Sequence, residues 1–290
     1  MFTGSIVAIV TPFRNGKVDE RALGDLIEFQ IANGTAGIVP CGTTGESATL
    51  SHEEHDRVVT LTVEVVKRRV PVIAGTGSNS TEEAIALTKH AKQAGVDGAL
   101  LITPYYNKPT QEGLFRHYKA VAEAVDLPLV LYNIPGRTGV NLLPATVARL
   151  AACSNIVGIK EGSGSVQQTS DIVQMCGERI TVLSGDDPLT LPIMALGGKG
   201  VITVTANLLP KDMSAMAAAA LSNRWDEARR LHYKLSPLFA ALFLETNPIP
   251  VKEALGLMGK IDPELRLPLC PLTSDNRDRL TRVLKDYGLI

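Results

Sequence analysis

Lys160 closes the run Ile156-Val157-Gly158-Ile159-Lys160. Side chains alternate along a strand, so a strand here predicts Lys160 on the same face as Ile156 and Gly158. If that face points into a closed sheet, Gly158 leaves room for the lysine stem. Removal from water disfavours the ammonium, and a neutral amine attacks a ketone to form an imine. A strand-end lysine more often bends out to solvent, and spacing alone favours that reading. Tyr132 closes a second apolar run, Leu129-Val130-Leu131. Forming an imine requires protons delivered to and removed from one oxygen. A phenol does both when hydrogen bonds join it to a relay, and the hydroxyls of Tyr106 and Thr43 are the candidates. Each of these, taken singly, also fits a buried residue with a satisfied hydroxyl. Thr43-Thr44-Gly45 adds hydroxyls and backbone N–H groups suited to a small carboxylate.

Other chemistries find less support. Thr43-Thr44-Gly45 lacks the Gly-Lys-Ser/Thr of a phosphate-binding loop, and neither Gly75-Thr76-Gly77 nor Gly197-Gly198-Lys199-Gly200 completes a dinucleotide fingerprint. His52 and His55 are helix-spaced, but no carboxylate or cysteine stands at a supporting metal-ligand spacing, and a polar helix face explains them better.

The elements that must position these residues form a rhythm of short apolar runs and longer amphipathic stretches. The predicted strands are Ser5 to Pro12, Gly37 to Thr43, Pro71 to Thr76, Gly98 to Thr103, Pro128 to Asn133, Ile156 to Lys160, Thr181 to Ser184 and Gly200 to Val204. Most are nearly continuous apolar runs, as parallel strands covered on both faces require. Ser51-His52-Glu53-Glu54 and Ser80-Thr81-Glu82-Glu83 read as capping boxes, while Gly34, Gly95, Gly177 and Gly197 punctuate helix ends. Eight strand–helix units favour an α/β fold closed into a (β/α)8 barrel, with an open parallel sheet as the alternative. The rhythm stops near residue 210, and helical patterns follow over Pro210 to Leu221, Trp225 to Leu244, Val251 to Met258 and Ser274 to Tyr287. The reading is a catalytic barrel over 1–224 and a C-terminal helical domain over 225–290. Asn247-Pro248-Ile249-Pro250 and Leu267-Pro268-Leu269-Cys270-Pro271 read as linkers.

Composition agrees. The chain has 290 residues, 45% of them hydrophobic and 20% charged, which suffices for a barrel of about 250 residues. A net charge of −1 with interspersed signs offers no footprint for nucleic acid or an anionic membrane. The opening Met1-Phe2-Thr3-Gly4-Ser5 has no basic region, and no apolar stretch approaches the roughly 20 residues of a membrane span. Cys41, Cys153, Cys176 and Cys270 are widely spaced, which points to a reduced, cytoplasmic protein.

Strand-end positions are where a barrel carries its chemistry. Three motifs stand there: Gly42-Thr43-Thr44-Gly45-Glu46, Tyr132-Asn133-Ile134-Pro135-Gly136-Arg137-Thr138 and Gly158-Ile159-Lys160-Glu161. In this order they make the chain resemble the dihydrodipicolinate synthase family over essentially its full length, most closely its Gram-negative bacterial members. The resemblance implies a class I, Schiff-base lyase that joins pyruvate to L-aspartate 4-semialdehyde in lysine and diaminopimelate biosynthesis. It implies Lys160 as nucleophile and Tyr132 as proton donor and acceptor, with Thr43 and Tyr106 completing the relay. The residue matching Tyr106 comes from the neighbouring subunit. Thr44 would hold the pyruvate carboxylate, Arg137 the semialdehyde carboxylate, and Gly185 and Ile202 would line the pyruvate pocket. A homotetramer built as a dimer of dimers, with no organic cofactor and no catalytic metal, is expected. Gly162 departs from the small Ala or Ser usual in the family.

The resemblance extends to a regulatory site. Ser47, Ala48, His52, His55, Asn79, Glu83 and Tyr105 match positions where lysine-inhibited members bind L-lysine. The plain reading of the same residues is a Glu83 that completes a capping box and histidines that face solvent. N-acetylneuraminate lyase and 2-keto-3-deoxy sugar-acid aldolases share the barrel, lysine and tyrosine, and Arg137 separates them by favouring a short acceptor with a carboxylate. A catalytically silent barrel that binds a small molecule is the reading from another class.

Overall fold

The structure is a computed structural model that describes residues 2–290; Met1, the first residue of the opening segment read above, lies outside the described residues. Eight parallel strands form one sheet: β1 Gly4–Ala8, β2 Gly37–Val39, β3 Ile73–Gly75, β4 Gly98–Ile102, β5 Leu129–Asn133, β6 Ile156–Glu161, β7 Thr181–Ser184 and β8 Gly200–Thr203. Their order is β2-β1-β8-β7-β6-β5-β4-β3, and a parallel bridge between Ile38 and Val72 joins the two ends. The sheet is therefore a closed barrel. Helices Glu20–Ala32 (α1), His52–Val66 (α2), Thr81–Ala94 (α3), Gln111–Ala124 (α4), Pro144–Leu150 (α5), Val166–Cys176 (α6), Thr190–Ala195 (α7) and Pro210–Leu221 (α8) follow the strands in turn.

Apolar residues on both faces of each strand supply two cores. Ile6, Val39, Ile73, Leu100, Val130, Leu183 and Ile202 fill the barrel. Val7, Ile38, Leu101, Leu131, Ile159 and Val201 face outward against helix residues such as Leu23, Val58, Leu114 and Ile172. The alternation has one interruption. Leu129 pairs with Ile156 but Val130 with Gly158, so Val157 is an extra residue in β6. Ile156 consequently packs in the outer layer while Val157 reaches the inner one. The expectation that Ile156 shares the face of Lys160 is corrected: a bulge at Val157, three residues before the lysine, breaks strict alternation.

Five predicted strands run past the sheet because their last residues leave it at the barrel mouth, β1 stopping at Ala8 rather than Pro12; β5 and β7 end as predicted, and β6 runs one residue further, to Glu161. A small antiparallel pair, Phe13–Arg14 with Lys17–Val18, follows, turning through Asn15 and Gly16 at φ 54° and 77°. Ser51 caps α2 with the full reciprocal box, Glu54 N donating to its Oγ at 3.2 Å and Ser51 N donating to Glu54 Oε2 at 3.0 Å. Beyond α8, helices Trp225–Ala241 (α9), Ile249–Leu257 (α10) and Ser274–Asp286 (α11) complete the chain. Among the described residues, no helix is long and apolar enough to cross a membrane.

Candidate active site

β5 and β6 place Tyr132 and Lys160 opposite each other as cross-strand partners. Ile159 packs outward, so Lys160 turns inward, and only 6% of its surface is exposed. Its Nζ lies 4.2 Å from the centroid of the Tyr132 ring. The solvent-turned alternative for this lysine is thereby removed. Space for the stem depends on Gly185, just after β7, because a Cβ there would stand 3.1 Å from Lys160 Cγ. Ile202 on β8 belongs to the same inner layer. Asp187 is also buried beside this group. Burial raises its pKa, while Thr205 and Thr203 as hydrogen-bond partners and the charge of Lys160 oppose the rise. Thr205 N donates to its Oδ2 at 2.8 Å.

Thr43 and Thr44 ride a tight turn after β2, closed by bonds from Gly45 N to Gly42 O and from Glu46 N to Thr43 O, both 3.1 Å. The chain packs closely here: a Cβ on Gly75 would stand 2.2 Å from Cys41 O, so only glycine lets the ends of β2 and β3 approach. Thr44 Oγ1 accepts a bond from Asn247 Nδ2 at 3.0 Å, which leaves its own proton free to donate. Arg137 sits on the single helical turn Pro135–Thr138 and donates from one terminal nitrogen to Asn247 O at 3.0 Å. The rest of its guanidinium fork remains for a carboxylate.

A buried amide and carboxylate network braces that turn. Asn133 Nδ2 donates to Asn141 Oδ1 at 2.8 Å, and Gln168 Nε2 donates to Glu161 Oε2 at 3.2 Å. Ser163 N donates to Glu161 Oε1 at 2.6 Å. The carboxylate next to the lysine in sequence is thus satisfied without a cation.

One cleft of about 550 Å³ joins Thr43, Tyr132 and Arg137 to Ser47, Ala48, His52, His55, Glu83 and Tyr105. Asn79 stands outside this lining, and its backbone oxygen accepts from Asn107 Nδ2 at 2.9 Å. Tyr106 also stands outside it, 89% exposed and held at φ 73°. The structure therefore brings Thr43 and Tyr132 to one cleft and leaves the Tyr106 hydroxyl out of it.

Two expectations for the second half of the cleft change. Ser80 Oγ accepts from Glu83 N at 3.5 Å, but the Glu83 side chain does not return to Ser80. Instead Oε1 lies 3.2 Å from His52 Nε2, and Oε2 accepts from Ser78 Oγ. The capping box is half formed because a histidine and a serine compete for its carboxylate. His55 does not face solvent: it is buried, with Nε2 2.8 Å from Gly75 O. A carbonyl only accepts, so Nε2 carries the proton, and burial lowers the pKa of the ring. His52 and His55 thus point to different partners, not to a shared ion.

Sequence reasoning missed Asn247, Glu46 and Lys252. Asn247 lay in a segment read as a linker. Glu46 lay within a motif where Thr43 and Thr44 drew the attention. Lys252 carried the one usable signal, a single cation on the apolar side of the pattern Ile249-Pro250-Val251-Lys252-Glu253-Ala254-Leu255.

Known proteins resemble the chain along its whole length. The sequence model of the dihydrodipicolinate synthetase family matches residues 1–287. The 4-hydroxy-tetrahydrodipicolinate synthase of Geotalea uraniireducens is 64% identical over 290 residues, covering all of both chains. The solved dihydrodipicolinate synthase of Acinetobacter baumannii, complexed with pyruvate, superposes with a TM-score of 0.98 at 52% identity over 100% of each chain. That of Cyanidioschyzon merolae, with lysine bound, superposes with a TM-score of 0.96 at 42% identity, over 100% of this chain and 99% of the other. A lysine buried against a tyrosine inside a closed barrel, and this likeness along the whole chain, lead to one assignment: the chain belongs to the dihydrodipicolinate synthetase family.

Proposed function

We propose that the chain condenses pyruvate with L-aspartate 4-semialdehyde to 4-hydroxy-tetrahydrodipicolinate, as a class I lyase of lysine and diaminopimelate biosynthesis. The observation that carries this reading is Lys160 Nζ held 4.2 Å from the Tyr132 ring inside the barrel. The amine of Lys160 adds to the keto carbon of pyruvate, and loss of water gives the imine. Loss of a methyl proton turns the imine into an enamine. Its carbon bonds to the aldehyde carbon of the second substrate, whose oxygen takes up a proton. The amine of that substrate then displaces Lys160 as the ring closes, and the free lysine is regenerated.

Tyr132 delivers and removes the protons, with Thr43 beside it in the cleft. Thr44 donates its free hydroxyl proton to the pyruvate carboxylate, while Gly185 and Ile202 shape the pocket around it. Arg137 offers the unused part of its fork to the semialdehyde carboxylate. The exposed Tyr106 completes the relay of a neighbouring subunit. The minimal active unit is then a dimer, in a cytoplasmic homotetramer built of two such dimers. Residues 1–224 supply the chemistry, and 225–290 form a helical domain that reaches the barrel mouth.

We further assign L-lysine as an inhibitor. Ser47, Ala48, His52, His55, Glu83 and Tyr105 share the cleft with Thr43 and Tyr132, and Glu83 can pair with an ammonium. Asn79 joins them from the neighbouring loop, where its backbone oxygen accepts from Asn107 Nδ2. The test is an assay of product formation from the two substrates. Product that vanishes in Lys160→Ala supports the reading. A folded protein that yields none, while borohydride still traps pyruvate on Lys160, would replace the acceptor with a sugar-type aldehyde. Absence of trapping would leave a silent binding barrel.

A further inference from the structure

Glu46 and Lys252 form a fully buried ion pair, with Lys252 Nζ 2.6 Å from Glu46 Oε1. It joins the turn of Thr43 and Thr44 to α10, on the far side of the sequence. The same Nζ donates to Thr11 O at 3.0 Å and lies 4.2 Å from the Phe13 ring centroid. Thr11 Oγ1 donates in turn to Gly45 O at 2.7 Å. The second oxygen of Glu46 accepts from Arg266 N at 3.3 Å. Glu46 meets these partners from a left-handed backbone at φ 51°, which a residue with a Cβ adopts only against steric resistance.

Stability alone does not account for such a pair. Taking both charges out of water offsets most of their attraction, and apolar side chains of similar volume often serve a fold equally well. The desolvation is felt here, since burial lowers the pKa of Lys252 and the charge of Glu46 draws it back up. What a buried pair supplies and an apolar pair does not is a fixed direction and distance. It fixes those at the end of a turn whose Thr44 Oγ1 is already bonded to Asn247.

We propose that the Glu46–Lys252 pair is a positioning device for keto-acid capture: through it, the C-terminal helical region holds the Thr43–Thr44 turn in the conformation that receives a small carboxylate. Neither residue touches the reacting atoms, and both act through the turn. The inference rests on the assignment of Lys160 and Thr44 to pyruvate.

The experiment is borohydride trapping on the full-length protein across a pyruvate series, with thermal unfolding recorded in parallel. Glu46→Gln combined with Lys252→Met removes both charges together. The pyruvate concentration for half-maximal trapping should rise about tenfold or more, as a misplaced binding group predicts, while trapping at saturation and the unfolding midpoint stay near those of the parent. A folded double variant that traps at the parent's pyruvate concentration overturns the proposal. If the double variant does not fold, Glu46→Asp decides. It keeps the charge and shortens the reach, and it should raise the half-maximal concentration about threefold; an unchanged value in folded protein overturns the proposal as well. Failure of the parent to trap pyruvate at all would refute the Schiff-base assignment itself, and the proposal with it. The two failures are therefore distinct.

Discussion

Tyr132 and Lys160 face each other across adjacent parallel strands, so the distance between phenol and amine is set by the backbone register and not by a loop. Removing only the hydroxyl tests its role. Tyr132→Phe keeps the ring against Nζ and should fold normally, while kcat falls by about 10²–10⁴, the range for loss of a positioned proton donor. Steady-state assay with a melting curve checks both halves.

Gly185 offers a steric test of the same centre. A methyl group there would meet Lys160 Cγ at 3.1 Å and Glu161 O at 3.0 Å. Gly185→Ala should displace the lysine stem and slow pyruvate trapping by about tenfold or more with modest loss of stability. Trapping at the parental rate would show that the stem has slack.

The exposed Tyr106 leads to a mixing experiment. Tyr106→Phe and Lys160→Ala should each be severely impaired as pure proteins. Hybrids formed by dissociating and reassociating the two should regain activity, because one site then holds both an intact lysine and an intact tyrosine. No recovery in verified hybrids would place the Tyr106 hydroxyl outside the partner's relay.

Lysine inhibition tests the other half of the cleft. Glu83→Gln removes the carboxylate available to an ammonium, and the lysine concentration for half-inhibition should rise about tenfold or more, as loss of a charge-assisted contact predicts. Rates that stay flat against millimolar lysine in the parent would remove the regulatory assignment altogether.

Acid sensitivity has a named contributor. His117 is buried, its Nδ1 lies 2.9 Å from Thr81 Oγ1, and burial pushes its pKa down from 6.5 to about 4. The unfolded chain therefore takes up a proton near pH 6.5 that the folded one refuses until about pH 4. Stability from this residue is complete above the upper value and lost as pH falls towards the lower. The unfolding midpoint should drop across that window, and His117→Asn should flatten the drop.

The barrel and the strand-end place of Lys160 were legible because they rest on local signals, whereas its burial was not, since spacing alone favours a lysine turned to solvent. Eight apolar runs with capped helices between them announce a parallel sheet, and Lys160 ends one of those runs. Val157 was not legible, since nothing in Ile156-Val157-Gly158 marks an extra residue and only pairing with Leu129 and Val130 reveals it. The pair Phe13–Arg14 and Lys17–Val18 had its Asn15-Gly16 turn signal, but its flanks are too short to show a period. Asn247 and Lys252 failed for a different reason: their partners Thr44 and Glu46 lie some 200 positions earlier, 203 and 206 residues away. A pattern read through a short window contains no trace of them.

The last barrel strand ends at Thr203, yet Thr44 and Glu46 take their partners from Asn247 and Lys252. A chain emerging from the ribosome thus owns every strand before it owns the groups that anchor the turn after β2. In that interval Glu46 lacks its counter-charge, and the turn is free to fray. Every strand is thus synthesised while both partners of this turn are still missing, and a chain cut short after the barrel would lack them altogether.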